Sequence, residues 1–219
     1  MIIGILGGTG GEGSGLAFRW AWSGHEVVVG SRSAAKAAQA AEELTQRVGD
    51  RGTVRGASNA GAARAGAVVV LAVPYSAQIA TALEVREALD GKVLIDVTVP
   101  LVPPRIECVK LPTEGSAAVA LQQRLGTGVK VVSAFQNVSA VHLKDPTHAI
   151  DCDVLVCGDD AGARETVIGL ARDAGLRAWH AGVLANSVAA ETLTAVLIAL
   201  NKRYKVPASG IRITGLSEG

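Results

Sequence analysis

The sequence is poor in several features that mark particular classes of protein. Aromatic residues make up only 3% of the 219 residues, and the net charge is +1 without a basic tract. This balance argues against nucleic acid or an anionic membrane as the main partner. The three cysteines, Cys108, Cys152 and Cys157, have neither disulfide nor metal-ligand spacing, and the four histidines are scattered. We therefore predict reduced thiols, no bound metal and a small-molecule partner.

The sequence also lacks a charged leader and lacks any uninterrupted apolar run of the ~20 residues that span a bilayer. Met1-Ile2-Ile3 instead begins a strand-like run. These absences predict a cytoplasmic protein without a membrane partner. Hydrophobic residues reach 49%, so a core of Ala, Val, Leu and Ile is available to one large domain with a small appendage.

The sequence does contain a regular alternation of apolar runs and helical stretches, which is typical of parallel α/β architecture. Runs 67–73 and 93–97 are apolar at both odd-numbered and even-numbered positions, as in strands that are covered on both faces. We predict a Rossmann-type, doubly wound, mostly parallel sheet over 1–180 and a small C-terminal helical extension over 181–219. The predicted strands lie near 1–6, 25–30, 53–57, 67–73, 92–97, 129–134, 153–157 and 177–180. The predicted helices lie near 11–23, 33–48, 59–64, 76–89, 115–125, 160–174 and 186–203.

A glycine-rich turn follows the first predicted strand. Gly8, Gly10 and Gly13 fit the spacing G-x-G-x-x-G, which serves a tight turn, close approach of phosphates and close helix packing. Glycines at that spacing also occur in ordinary turns. Here a strand precedes them, a helix follows, and Gly24 stands at a predicted C-cap before the second strand. The pattern predicts a dinucleotide whose pyrophosphate lies at the helix N-terminus.

The end of the second strand indicates which dinucleotide binds. NAD-binding domains usually place Asp or Glu there, whereas this chain has Gly30, followed by Ser31 and Arg32, with Lys36 one turn further on. A hydroxyl and two cations suit a ribose 2′-phosphate, so we predict NADP. The alternative is that Ser31 caps the next helix and the two cations are solvated. Cations at a helix N-terminus oppose the macrodipole, which favours the phosphate interpretation.

Two segments interrupt the pattern at the carboxyl ends of strands, where open α/β sheets bind ligands. Segment 73–76 contains Pro74, which by itself is best interpreted as a simple strand stop. Segment 98–104 is apolar and holds three prolines, so it suits neither helix nor strand. We predict that this longer segment forms a wall of a pocket.

The C-terminal region has a different character. Residues 188–200 are apolar nearly all around, which predicts a buried helix, packed either under the sheet or in a subunit interface. Within it Glu191 is a satisfied core carboxylate, a surface residue or, as the least favoured interpretation, a pocket group. Residues 211–213 form either a final edge strand or an arm.

Several segments in this order have a more specific pattern than the glycine turn. The Gly-Ser-Arg element after the second strand and the Cys-Gly-Asp-Asp element at 157–160 are the most distinctive of them. The full set is Leu6-Gly7-Gly8-Thr9-Gly10, Gly24-His25-Glu26-Val27-Val28-Val29-Gly30-Ser31-Arg32, Pro100-Leu101-Val102-Pro103, Val131-Val132-Ser133-Ala134, Val156-Cys157-Gly158-Asp159-Asp160 and Asn186-Ser187. Over nearly the whole chain, this set resembles the F420-dependent NADP reductases.

That resemblance implies direct hydride transfer between NADP(H) and the deazaflavin coenzyme F420. Both are preformed hydride carriers, so no catalytic side chain is required. It also implies that 181–219 complete the deazaflavin pocket. The apolar last helix, by contrast, is the reason to predict a homodimer. By resemblance the 2′-phosphate is held by Thr9, Ser31, Arg32 and Lys36, the pyrophosphate by Gly10, Gly11 and Glu12, and the nicotinamide by Val73, Ala77, Val102 and Ala140. The deazaflavin would contact Pro103, Gln136, Asn137, Val138 and Asn186.

The chain departs from the family pattern at two places. Gly11-Glu12 stands where family members have Asn-Leu, which puts a carboxylate beside the pyrophosphate, so we predict that the Glu12 side chain points away. Gln136 stands where a histidine is found in the deazaflavin pocket. An amide can hydrogen-bond the ring edge there but cannot transfer a proton.

Two other functions remain open from the sequence. One is an NADP-dependent dehydrogenase or imine reductase of the 6-phosphogluconate dehydrogenase type, although only one long helix follows residue 180. The other is a non-catalytic NADP-sensing module. The direction of hydride transfer is not encoded in these patterns.

Overall fold

The structure is a computed structural model that describes residues 1–216. Within that range, eight strands form one sheet in the order β3-β2-β1-β4-β5-β6-β7-β8. Neighbouring strands are parallel except for the antiparallel pair β6 and β7. The strands are β1 Ile2–Leu6, β2 Glu26–Ser31, β3 Thr53–Ser58, β4 Val68–Leu71, β5 Val93–Asp96, β6 Lys130–Ser133, β7 Asp153–Gly158 and β8 Arg177–His180. The predicted Rossmann-type fold class is confirmed.

Helices cover both faces of this sheet. They are α1 Gly11–Trp22, α2 Ala34–Val48, α3 Asn59–Ala65, α4 Gln78–Glu84, α5 Arg86–Leu89, α6 Ala117–Leu125, α7 Ala140–Leu143, α8 Ala161–Asp173 and α9 Ser187–Tyr204. The single helix predicted over 76–89 is divided at Val85, and the short helix α7 was not predicted. The sequence offers Asp159 or Asp160 as the start of the helix predicted over 160–174, and Asp160 caps α8 by accepting a hydrogen bond from the Ala163 N–H at 2.7 Å.

The core lies on both faces of the central strands, since side chains alternate along each strand. Ile3 and Ile5 of β1 pack with Trp20 of α1 on one face. On the other face, Leu6 packs with Leu71 in a separate cluster. All five side chains are fully buried, which explains why the strands are apolar at both parities.

One glycine on β1 sets the spacing between sheet and helix. A Cβ built on Gly4 would lie 2.1 Å from the carbonyl oxygen of Ala62 on α3. That oxygen is a backbone atom, so it cannot move aside cheaply. Gly4 therefore allows α3 to pack directly on the first strand, and a larger residue there would separate them.

Helix α9 is only partly covered by the rest of the described chain, so the choice between packing under the sheet and a subunit interface stays a prediction. Ala190 and Glu191 are buried against the domain, but Val196, Leu200 and Tyr204 are 42%, 39% and 69% exposed. By length and composition alone, the segment Leu184–Tyr204 of the described chain is sufficient to cross a membrane, with a mean hydropathy of 1.4 and 33% of the window buried. Core helices of soluble proteins pass the same test, so this is weak evidence for a membrane.

The last described residues form an arm and not an edge strand. The carbonyl oxygen of Ile211 accepts a hydrogen bond from the Asp153 N–H at 2.7 Å. The N–H of Ile213 donates to the Asp153 carboxylate at 2.7 Å. These contacts fix the arm beside the start of β7, and the alternative of a ninth strand is wrong for the described residues.

Candidate functional site

The glycine turn lies between the carboxyl ends of β1 and β4, where the strand order reverses. Gly7 has φ +72°, and its N–H donates to Asn59 Oδ1 at 3.2 Å. A Cβ on Gly13 would lie 2.9 Å from the Cα of Gly8, whereas one on Gly10 would meet nothing nearer than 3.5 Å. Gly7 therefore makes the tight turn, Gly13 allows close helix packing, and Gly10 leaves room for a ligand.

A first cavity of about 270 Å³ extends from this turn to the end of β2. It is lined by Gly7, Thr9, Gly10, Ser31, Arg32, Ser33, Lys36, Asn59, Ala72, Val73, Pro74, Ala77 and Thr81. The predicted phosphate residues Thr9, Ser31, Arg32 and Lys36 thus lie around one cavity, together with Val73 and Ala77. Because it unites them at the switch point of a Rossmann sheet, this cavity has the form of a dinucleotide pocket.

The alternative interpretation, in which Ser31 caps the next helix, does not match the structure. Ser33, and not Ser31, caps α2, and its Oγ accepts a hydrogen bond from the Lys36 N–H at 3.4 Å. Ser31 is 7% exposed, and its Oγ accepts from the Ser33 N–H at 3.2 Å. Across residues 1–216, neither Arg32 nor Lys36 forms an ion pair with a carboxylate. Two cations beside the cavity are therefore available to an anion.

A second cavity of about 450 Å³ adjoins the first. It is lined by Gly10, Gly11, Glu12, Ala72, Val73, Pro74, Tyr75, Val97, Thr98, Val99, Leu101, Phe135, Gln136, Val138 and Thr194. The two cavities share Gly10, Ala72, Val73 and Pro74, so they form one continuous cleft. The proline-rich segment contributes Val99 and Leu101 to its wall. The cleft is cationic at one end and largely apolar at the other.

Some predicted site residues lie elsewhere. Val102 and Pro103 line neither cavity, although their loop does. Ala140 begins α7 and faces Gly11, whose Cβ would lie 3.7 Å from that of Ala140. Asn186 donates to the Ala181 carbonyl at 2.7 Å and is exposed at the start of α9.

Asn137 connects α9 to the cleft. Its Nδ2 donates to the Ala190 carbonyl at 2.8 Å and to Thr194 Oγ1 at 3.1 Å. Thr194 Oγ1 in turn donates to the Gln136 carbonyl at 2.9 Å. Asn137 is thus a positioning residue that fixes the helix, while Gln136 and Thr194 face the second cavity.

A buried polar group lies beneath the second cavity. Asp96, at the end of β5, is fully buried and accepts hydrogen bonds from Gln78 Nε2 at 2.5 Å and from the Thr98 N–H at 3.0 Å. Burial raises its pKa to about 6. Gln136 Nε2 donates to the Asp96 carbonyl and to Ser133 Oγ, both at 2.8 Å. These bonds orient the Gln136 amide so that Nε2 faces the sheet.

Three polar atoms around the second cavity are buried without a hydrogen-bond partner in the described chain: Glu12 Oε1, Thr98 Oγ1 and Gln136 Oε1. Buried polar groups are normally satisfied, so such atoms indicate a site for a polar ligand. The sequence-based prediction that the Glu12 side chain points away from the pyrophosphate assumed an ionised carboxylate. Burial instead raises the pKa of Glu12 to about 8, so it is neutral at pH 7.

Sequence reasoning missed several residues of the cleft. Asn59 reaches the glycine turn across 52 positions, a separation that no local pattern reveals. Phe135 adopts φ +75°, an uncommon conformation for a bulky residue, and packs edge-on against Trp20 at 5.8 Å. Tyr75 and Thr194 also line the second cavity. Thr98 lines it as well, but it belongs to segment 98–104, which was predicted to form a pocket wall.

The sheet order, the glycine turn at the switch point and the cationic corner define a Rossmann-type, dinucleotide-binding oxidoreductase. A family model described as NADP oxidoreductase, coenzyme F420-dependent, matches residues 2–100. F420-dependent NADP reductases of Methanocaldococcus jannaschii and Methanothermobacter marburgensis are 41% and 43% identical, and the alignments cover 99% and 100% of both chains. This chain belongs to the F420-dependent NADP reductases, which confirms the resemblance seen in its sequence.

A solved structure supports the same assignment. The protein from Arthrobacter sp. FB24, described as a candidate F420-dependent NADP reductase, superposes with a TM-score of 0.79 at 28% identity. The superposition covers 97% of this chain and 98% of that chain. The C-terminal region containing α9 is therefore included in the shared fold.

Proposed function

We propose that this chain transfers a hydride between NADP(H) and coenzyme F420, each bound in one half of the cleft. The observation that carries this proposal is the continuity of the two cavities, one cationic and one largely apolar, at the switch point of the sheet. Relatives that match over their full length and are named F420-dependent NADP reductases support it.

The nucleotide is assigned to the first cavity. Arg32 forms a forked, charge-assisted contact with the 2′-phosphate, Lys36 adds a second charge, and Ser31 adds its hydroxyl. The pyrophosphate lies over the backbone of Gly10 and Gly11, at the N-terminus of α1. The nicotinamide then extends past the residues that both cavities share.

The deazaflavin is assigned to the second cavity. Val99, Leu101 and Val138 supply apolar contacts for a flat ring, and the unpartnered Gln136 Oε1 accepts a hydrogen bond from a ring N–H. Direct transfer between two hydride carriers needs neither a nucleophile nor a strong base. Catalysis then consists of stacking the two rings at near-attack distance and excluding water.

The C-terminal segment is assigned two further roles. The C-terminal segment from residue 181 completes the deazaflavin pocket, because Thr194 of α9 lines it. Residues 217–219 of the predicted segment 181–219 lie outside the described residues. The exposed apolar residues Val196, Leu200 and Tyr204 form a homodimer interface of a cytoplasmic enzyme. Light scattering tests this role: the wild type is expected to be dimeric and Leu200→Glu monomeric. Binding of the wild type to lipid vesicles would instead favour a membrane contact.

The activity is tested by mixing the protein with NADPH and F420 and following the loss of the visible absorbance of F420. We expect turnover that depends on both substrates. Confirmed NADPH binding without turnover would favour the sensing module. Turnover of an imine or a hydroxy acid in place of F420 would favour the 6-phosphogluconate dehydrogenase type.

A further inference from the structure

Glu12 lies in the cleft, and the hydride transfer described above gives it no role. It is the second residue of α1, directly after Gly11, and it lines the second cavity. Its Oε1 is buried and has no hydrogen-bond partner in the described chain. An orphaned oxygen at the helix end assigned to the pyrophosphate requires a partner that the protein itself does not supply.

Among the described residues that line the second cavity with Glu12, none is a cation that could balance a negative charge. The other polar side chains around the second cavity are Tyr75 after β4, Thr98 after β5, Gln136 after β6 and Thr194 on α9. Of these only Tyr75 can ionise, and burial raises its pKa above 10. Both Thr98 and Gln136 are at least nine-tenths buried, at 3% and 5% exposed, and each has an unpartnered oxygen.

Two basic side chains, one on α1 and one on α7, make other contacts. Arg19, on the same helix, donates to the backbone carbonyls of His142 at 2.9 Å and of Leu143 at 3.4 Å. The ring of His142 on α7 stacks on that of His148 at 4.7 Å and borders a different cavity. Desolvation is therefore the dominant influence on Glu12, and it raises the pKa to about 8.

We propose that binding of NADP(H) is coupled to protonation of Glu12, whose neutral carboxyl then donates a hydrogen bond to an oxygen of the nucleotide diphosphate. This inference rests on the proposed function. Above pH 8, where Glu12 of the free protein is ionised, its carboxyl takes one proton from solvent when the nucleotide binds and returns that proton on release. No electrons move in this step.

Two physical effects drive the coupling. The diphosphate brings negative charge next to the second cavity, where no described lining residue is basic, and the bound nucleotide removes water from the cleft. Both disfavour the ionised carboxyl, so the pKa of Glu12 rises further in the complex. The O–H group then replaces a charge repulsion with a short hydrogen bond to an anionic oxygen.

The pH window follows from the two protonation states. At pH 6.5 Glu12 is protonated with and without nucleotide, so no proton is taken up at this group. Above pH 8 the free protein is ionised at Glu12 and the complex is protonated. Binding then takes up about one proton, and affinity falls by up to about tenfold per pH unit. The 2′-phosphate, whose pKa is about 6, is already ionised in this window.

The test is calorimetric titration of NADPH at pH 6.5 and 9.0 in pairs of buffers that differ in ionisation enthalpy. The variants are Glu12→Gln, which mimics the neutral carboxyl, and Glu84→Gln, which removes an exposed carboxylate on α4. At pH 9.0 we expect uptake of about one proton in the wild type and in Glu84→Gln, and none in Glu12→Gln. The affinity of Glu12→Gln should stay constant between pH 8 and 9.

The outcomes separate this inference from the proposed function. Equal proton uptake by the wild type and Glu12→Gln at pH 9.0, or no uptake by the wild type, would overturn the inference alone. A wild type that fails to bind NADPH at either pH would overturn the proposed function. If Glu12→Gln does not fold, Glu12→Leu gives a second measurement with the same expectation, since it also lacks the proton.

Discussion

Replacing Glu191 tests how much the buried carboxyl that joins α9 to α6 contributes to stability, and how that contribution depends on pH. Glu191 is 1% exposed, and its oxygens accept hydrogen bonds from the N–H groups of Ala117 at 2.7 Å and Ala118 at 3.1 Å. Of the three alternatives that the sequence left open for Glu191, the structure supports a core carboxylate whose hydrogen bonds are satisfied. Glu191 accepts from N–H groups at the start of α6 that have no partner within that helix. Burial, followed by the charge of Asp96, raises its pKa from 4.5 to about 7.

The contribution of Glu191 to the free energy of unfolding follows from its two pKa values, 4.5 in the unfolded chain and about 7 in the folded chain. Below pH 4.5 the carboxyl is neutral in the folded and the unfolded chain, so its full contribution to stability is present. Between pH 4.5 and 7 the unfolded chain loses the proton first, and the contribution is lost as the pH rises. At about 1.4 kcal/mol per pKa unit, this difference is worth roughly 3 kcal/mol of unfolding free energy.

The assay is urea unfolding of the wild type and of Glu191→Gln at intervals from pH 4.5 to 8. Relative to Glu191→Gln, the wild type should lose roughly 3 kcal/mol across this range. Glu84→Gln, an exposed control, should follow the wild type. Glu191→Ala leaves two buried N–H groups without acceptors and should cost about 2–6 kcal/mol at every pH. Parallel pH curves for the wild type and Glu191→Gln would refute this reasoning.

Three further predictions concern the cleft and the sheet. The double replacement Ser31→Asp with Arg32→Ala removes a forked phosphate contact worth about 3 kcal/mol. The value of kcat/KM for NADPH should therefore fall about 100-fold relative to that for NADH. An unchanged ratio would contradict the assignment of these residues to the 2′-phosphate. Asn59→Ala leaves the Gly7 N–H without its acceptor and should raise the KM for NADPH about fivefold, with the KM for F420 as the internal control. Gly4→Ala forces a methyl group against a backbone oxygen and should lower unfolding free energy by about 3 kcal/mol in urea; a neutral effect would show that α3 can move.

Much of the fold was predictable because its signals are local. A strand that is apolar at both parities must be covered on both faces, so the run containing Val69 and Val70 indicated a central strand before any contact was known. The start of α8 was equally clear from Asp160. For helix α9 the sequence left two alternatives open, because apolar composition does not tell whether the covering surface belongs to the same chain.

The site was predictable where sequence motifs are contiguous and was missed where distant segments meet. The glycine turn and the residues after β2 were found because their spacing carries the chemistry. Asn59 and Thr194 enter the cleft through tertiary contacts, which periodicity does not encode. The raised pKa of Glu12 could not be predicted for the same reason, since it depends on the burial that other segments impose.

The most direct test of hydride transfer across the cleft uses NADPH that carries deuterium at the transferred C4 position. The labelled nucleotide is mixed with F420 and the protein in ordinary water, and the reduced F420 is analysed by mass spectrometry and NMR. Direct transfer between stacked rings predicts that the deuterium appears at C5 of the deazaflavin. Hydrogen from solvent at that carbon would contradict it.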